Sequence, residues 1–248
     1  MLEGYYFYLI GVPAVLLFGI SKGGFGGSIS ILAVPLLTLV VSPAQAAALL
    51  LPILCVMDLF VIYTYRSQFD TTCLRILVPG ALLGIIGGYL TFEFTDENIT
   101  KILIGIIAIT FVLSTLCKPT GSAKHSRISG TILGGLSGFT SFVIHAGGPP
   151  FSMYLLPKKL DPLVFAGTAG IFFCIVNYVK IIPYYLLEQL NTENLKMSLI
   201  LMPFAPVGVF IGHWLVKRVS AKYFYMICYI FLFFAGLKLI VDGIQSFY

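Results

Sequence analysis

Three charged side chains and one histidine interrupt long apolar stretches of this chain: Lys22, Asp58, Lys180 and His145. A cation in hydrocarbon costs at least about 2.5–3.5 kcal/mol. Each therefore needs a counter-charge, water or a task. Lys22 lies four residues before Gly26, and His145 two before Gly147. Five glycines fall between residues 19 and 27. Each costs a helix interior about 1 kcal/mol relative to alanine, so this segment is expected to break a helix. Gly147-Gly148 followed by Pro149 is expected to stop one helix and start another, because proline suits the first helical turn. A helix that restarts there turns free N–H groups and its positive dipole end toward the gap. That geometry suits an anion. The candidate binding residues at the two breaks are Lys22, Gly26, Gly27, Ser28, His145, Gly147 and Gly148. The plainer alternatives are a Lys22 that snorkels to the interface and a His145 that is a neutral packed imidazole.

Asn177 and Lys180 share one helical face, and Thr168 precedes them on the same run. Thr168 and Asn177 are uncharged donors, Lys180 a charged one. Three roles compete here: an Asp58–Lys180 ion pair, a coupling proton on Asp58, and direct anion binding by Lys180. Cys55 and Cys174 precede Asp58 and Asn177 by three residues each. They read either as a thiol pair facing the pathway or, more simply, as small apolar filler. Tyr63, Tyr65, Tyr184 and Tyr185 read as interfacial anchors.

The elements that must position these groups are membrane helices. Of 248 residues, 58% are hydrophobic and 10% charged, against about 25% charged in soluble domains. Mean hydropathy is +0.99. Soluble enzymes, nucleic-acid binders and disordered chains are excluded on this ground. Apolar runs lie near 5–20, 27–41, 45–65, 72–92, 98–116, 128–144, 147–156, 163–187, 195–216 and 222–241. They are continuous rather than alternating, so they read as helices and not barrel strands. The expected class is an all-α polytopic membrane protein with roughly eight to ten membrane segments. Runs 5–20, 27–41 and 147–156 are short for a span. Segments 5–41 and 128–157 read either as helix pairs or as re-entrant hairpins.

Loop charge separates into two sets. Arg66, Arg75, Lys118, Lys124, Arg127, Lys158, Lys159, Lys217, Arg218 and Lys222 lie on one side; Glu93, Asp96, Glu97, Glu188 and Glu193 lie on the other. The positive-inside rule puts the basic set in the cytoplasm and both termini outside. The five cysteines show no CxxC or Cys/His spacing, so no metal site, cofactor or disulfide framework is expected. The N-terminus lacks a basic n-region and reads as retained structure.

The halves match. Residues 77–88 (LVPGALLGIIGG) and 201–212 (LMPFAPVGVFIG) share L-x-P-x-A-x-x-G-x-x-x-G at an offset of 124. Pro43, Ala47, Cys55 and Tyr65 match Pro162, Ala166, Cys174 and Tyr184 at 119. Gly26-Gly27 is paired with Gly147-Gly148 at 121. The division is 1–117 as first repeat, 118–127 as cytoplasmic linker and 128–248 as second repeat. Opposite starting sides make the repeats inverted, an arrangement found in transporters. The small residues of the shared motif let helices approach closely.

These halves, with their breaks and basic loops, resemble the TauE/SafE sulfite exporter family, most specifically over SFVIHAGGPPFSMYLLPKKLDPLVFAGTAGIFFCIVNYVKIIPYY, residues 141–185. The resemblance implies a bacterial inner-membrane exporter of small sulfur oxyanions or organosulfonates. On matching positions it points to Lys22 to Gly27, His145 to Pro149, Thr168, Asn177 and Lys180. The expected partners are a small anion, protons if Asp58 couples them, and the lipid bilayer, with no nucleic acid. An anion channel or uniporter is the alternative. Catalysis is not expected: there is no HExxH and no local nucleophile–base pair.

Overall fold

The computed structural model describes residues 2–26, 36–37, 40–41, 43–94, 96–117 and 126–245. Ten α-helices and no strand occur among them. They are α1 Leu2–Gly24, α2 Pro43–Tyr65, α3 Thr71–Leu90, α4 Glu97–Cys117 and α5 Arg127–Ile144, then α6 Gly148–Leu155, α7 Pro162–Leu186, α8 Thr192–Leu201, α9 Phe204–Arg218 and α10 Ala221–Gln245. Side-chain caps start several of them: Asp70 for α3, Ser126 for α5, Asp161 for α7 and Asn191 for α8. Each oxygen satisfies an N–H that the first turn leaves unpaired.

Five helices are long and apolar enough to cross a bilayer, and a sixth span arises if α8 and α9 count as one. Large apolar side chains such as Leu83 and Phe234 face outward, as lipid contact demands. The protein is a multi-pass membrane protein.

Several sequence expectations change. The run 195–216 is two helices bent by 48°, with Met202-Pro203 between them. The run 5–20 is part of a 23-residue helix, long enough to span. That helix passes through Gly19, Gly23 and Gly24, which were expected to break it. Packing overrides propensity here: a Cβ on Gly19 would lie 2.8 Å from the Gly208 Cα, and one on Gly23 2.8 Å from the Val209 backbone. Absence of side chains lets α1 and α9 touch along their backbones. Gly84 of α3 meets the Gly135 backbone of α5 in the same manner. The break therefore comes later, at Gly26, whose φ of 61° is left-handed. The run 147–156 is the eight-residue α6 followed by a 3-10 turn, Leu156–Lys158. At 1.5 Å per residue, α6 reaches only about 12 Å and cannot cross alone. α5 begins at Arg127, inside the expected linker, while 118–125 and most of run 27–41 lie outside the described residues.

The helix pairings follow a pattern. α1 packs on α9 and α5 on α3; α2 packs on α7, and α4 on α10. Exchanging the halves swaps the first two pairings and maps each of the other two onto itself. The spacing of 119 also recurs in the geometry. Tyr65 donates to Gly23 O at 2.5 Å, and Tyr184 to Phe142 O at 2.8 Å. Both members of the second bond lie 119 residues beyond the first. The left-handed residues that end α1 and α5, Gly26 and His145, share this spacing. The register at the breaks is thus 119 rather than 121, and Gly26 corresponds to His145 instead of Gly147.

Candidate functional site

α5 ends at Ile144, and His145 caps it with φ 52° and ψ 26°. That region is uncommon for a side chain with Cβ. Hydrogen bonds around the break hold it: Ala146 N–H donates to Thr140 O at 3.1 Å, Thr140 Oγ1 to Ala146 O at 3.1 Å and Ser137 Oγ to Gly147 O at 2.7 Å. Gly147 fits because a Cβ there would meet Ser137 O at 2.7 Å and the Ser141 Cβ at 2.9 Å. α6 then restarts at Gly148. Pro149 and Pro150 carry no N–H, so Gly148 is left to supply the donor of this first turn.

A cavity lies at this break. Phe18, Lys22, Leu54, Ser141, His145, Gly148, Phe173 and Asn177 line it. Phe18, Leu54 and Phe173 form the apolar wall. The polar wall comes from four helices: Lys22 on α1, Ser141 on α5, Gly148 on α6 and Asn177 on α7.

The ionisable groups are buried. Lys22 is 3% exposed, Asp58 and Lys180 0%. Lys22 does not snorkel: its Nζ lies 2.6 Å from Asp58 Oδ1 and donates to Leu54 O at 3.1 Å. Asn177 Nδ2 donates to Asp58 Oδ2 at 2.9 Å. The partner of Asp58 is thus Lys22, and the Asp58–Lys180 ion pair, one of the three competing roles, does not form. Lys180 instead gives its three donors to Ser141 O at 2.9 Å, Ser141 Oγ at 3.1 Å and His145 Nδ1 at 3.1 Å. Since an ammonium has no acceptor, Nδ1 accepts. His145 Nε2 then carries the proton and donates to Ala47 O at 3.0 Å. Both ring nitrogens are engaged, so His145 positions Lys180 and has no donor left for a ligand.

On the cavity-lining residues, four donors have no partner among the described residues: the third N–H of Lys22, the Ser141 hydroxyl hydrogen, the second N–H of Asn177 and the Gly148 N–H. Lys180 stands behind Ser141, which relays its polarisation toward the cavity. The arrangement can hold a small solute rich in acceptor oxygens.

Other candidate residues lie elsewhere. Thr168 is absent from the cavity lining; its Oγ1 donates to Val164 O at 2.6 Å and accepts from Asp70 N at 2.8 Å, tying α7 to the start of α3. Gly26 packs against the Phe165 ring. Gly27 and Ser28 lie outside the described residues. Cys55 and Cys174 are free thiols, neither lining the cavity. Tyr63 and Tyr185 are exposed as interfacial anchors should be, but Tyr65 and Tyr184 are buried and clamp the ends of α1 and α5. No group of three metal-ligating side chains occurs among the described residues.

Sequence reading passed over Ser141. Its signal was the repeat itself, since Ser141 stands 119 residues after Lys22.

The family model described as Sulfite exporter TauE/SafE matches residues 11–239. The chain belongs to the TauE/SafE family. The match spans both breaks and every cavity-lining residue, so the site lies within what defines the TauE/SafE chain. Members of this family are membrane transporters, which accords with buried charge around a cavity between helices. No curated protein and no solved structure matches the chain.

Proposed function

We propose that this protein exports a small sulfur-containing anion of the sulfite, organosulfonate or thiosulfate class across the bacterial inner membrane by alternating access. The observation that carries the reading is a buried lysine without a carboxylate partner. Among the described residues, the buried Lys, Arg, Asp and Glu side chains are Lys22, Asp58 and Lys180. Lys22 and Asp58 neutralise one another, and Lys180 has only neutral partners. At an effective dielectric of 20, a unit charge 4 Å away gains about 4 kcal/mol from such a centre. The four open donors match the oxygens of a sulfonyl or sulfite group, and the Phe18, Leu54 and Phe173 wall accommodates its apolar part.

Transport follows from the helix pairings. The halves act as inverted repeats that rock about the α2–α7 contact, exposing the cavity first to the cytoplasm, where the basic loops lie, and then to the outside. A cytoplasm held negative pushes each negative charge outward with about 2.3 kcal/mol per 100 mV. Export needs no coupled ion, and Asp58 serves as the counter-ion of Lys22 rather than a proton carrier. The test is thermal unfolding of the purified protein with sulfite, thiosulfate, sulfoacetate, taurine or sulfate. Stabilisation that rises with ligand concentration is expected for at least one anion, and it should vanish in Lys180→Met. Stabilisation that persists undiminished in Lys180→Met contradicts the site.

A further inference from the structure

The cavity has a definite charge count. Asp58 Oδ1 lies 2.6 Å from Lys22 Nζ as an ion pair, and Oδ2 accepts from Asn177, surroundings that suit a carboxylate. Lys180 donates to three neutral acceptors, one of them His145 Nδ1. Counting Lys22 and Lys180 as ammonium, Asp58 as carboxylate and His145 as neutral imidazole, the buried set sums to one positive unit among the described residues. Geometry fixes which cation is cancelled. Asp58 lies behind the wall against Lys22, while the donors of Lys180 go to Ser141 and His145.

Resting on the anion-transport reading above, we infer that Asp58 sets the valence of the solute. By cancelling Lys22 it leaves the cavity matched to one negative charge, so the site selects a monoanion over a dianion of the same shape. A dianion would bring an extra negative charge beside Asp58, buried and uncompensated. The solute class is then a singly charged sulfonate or hydrogensulfite-like species. Asn177 shares the task by holding Asp58 Oδ2 in place, which keeps the carboxylate on Lys22.

Methanesulfonate and sulfate provide the probes, because they are alike in size and tetrahedral shape and differ by one charge. Counterflow of each is measured with the full chain in liposomes. The wild type should prefer methanesulfonate by about tenfold or more. Asp58→Asn raises the cavity to two positive charges, and the ratio should move about tenfold or more toward sulfate. Adding Lys22→Gln to Asp58→Asn returns the charge to one and should restore the preference for methanesulfonate. The double variant leaves Lys180 as it stands in the wild type and adds no new unpaired charge, which favours folding if Asp58→Asn alone fails, and the wild-type ratio is decisive without either. Equal transport of the two probes by the wild type, or an unchanged ratio in folded Asp58→Asn, overturns the valence assignment and leaves anion transport standing. If the wild type moves neither these probes nor any other small anion, the anion reading falls with it.

Discussion

Lys180 is held by groups that contribute no charge of their own, and that makes its neighbours separable by mutation. His145→Gly should relieve the left-handed backbone, which costs a Cβ-bearing residue about 1 kcal/mol, while removing the acceptor at Lys180 Nζ. The expected outcome is a melting temperature close to wild type with anion affinity reduced about tenfold, the equivalent of 1.4 kcal/mol. Titration calorimetry and thermal unfolding on one preparation separate the effects. A parallel loss of stability and affinity would make His145 structural. Ser141→Ala should weaken binding too, since it removes both a cavity donor and an acceptor of Lys180. Residue types revealed much here. An ionisable group in an apolar run announces itself, and Lys22, Asp58, His145, Asn177 and Lys180 were all legible as candidates. Their partners were not, because spacing along one helix says nothing about which other helix it faces. That is why an Asp58–Lys180 pair stood among the three readings while the pair that forms, Asp58–Lys22, did not.

Helix propensity misjudged α1, and the reason predicts a phenotype. Gly19, Gly23 and Gly24 are weak helix formers, but each sits where a neighbouring backbone leaves no room for Cβ. Gly19→Val should force α1 and α9 apart and lower the melting temperature by far more than a propensity change would. An unchanged temperature would show that the contact is not close. The two tyrosine clamps belong to the same scale. Each hydroxyl satisfies a carbonyl in the last turn of a broken helix. Tyr65→Phe and Tyr184→Phe should each cost about 1–3 kcal/mol, the penalty for a buried acceptor left unmade, read from unfolding in detergent. Their burial was hidden in the sequence because tyrosine near a loop is ordinarily an interfacial residue. The bend between α8 and α9 was hidden as well: Pro203 interrupts a run whose hydropathy is continuous, and hydropathy does not register backbone direction.

At the scale of the molecule, composition alone settled the class, since no water-exposed fold carries so few charges. The helix pairings exchange when the halves are exchanged, an arrangement a rocking mechanism would use. What the sequence did not disclose was the sum of charge around the cavity, because that depends on pairings made only in three dimensions. On the proposed function, an anion carried without a counter-ion moves one negative charge per cycle, so transport should be electrogenic. The most direct measurement is therefore anion flux from proteoliposomes under an imposed potential, comparing wild type with Lys180→Met. The account predicts efflux that speeds up when the anion-loaded side is negative, slows when the sign is reversed, and is abolished in Lys180→Met. Flux indifferent to the sign of the potential, or a Lys180→Met variant that transports at the wild-type rate, would contradict it.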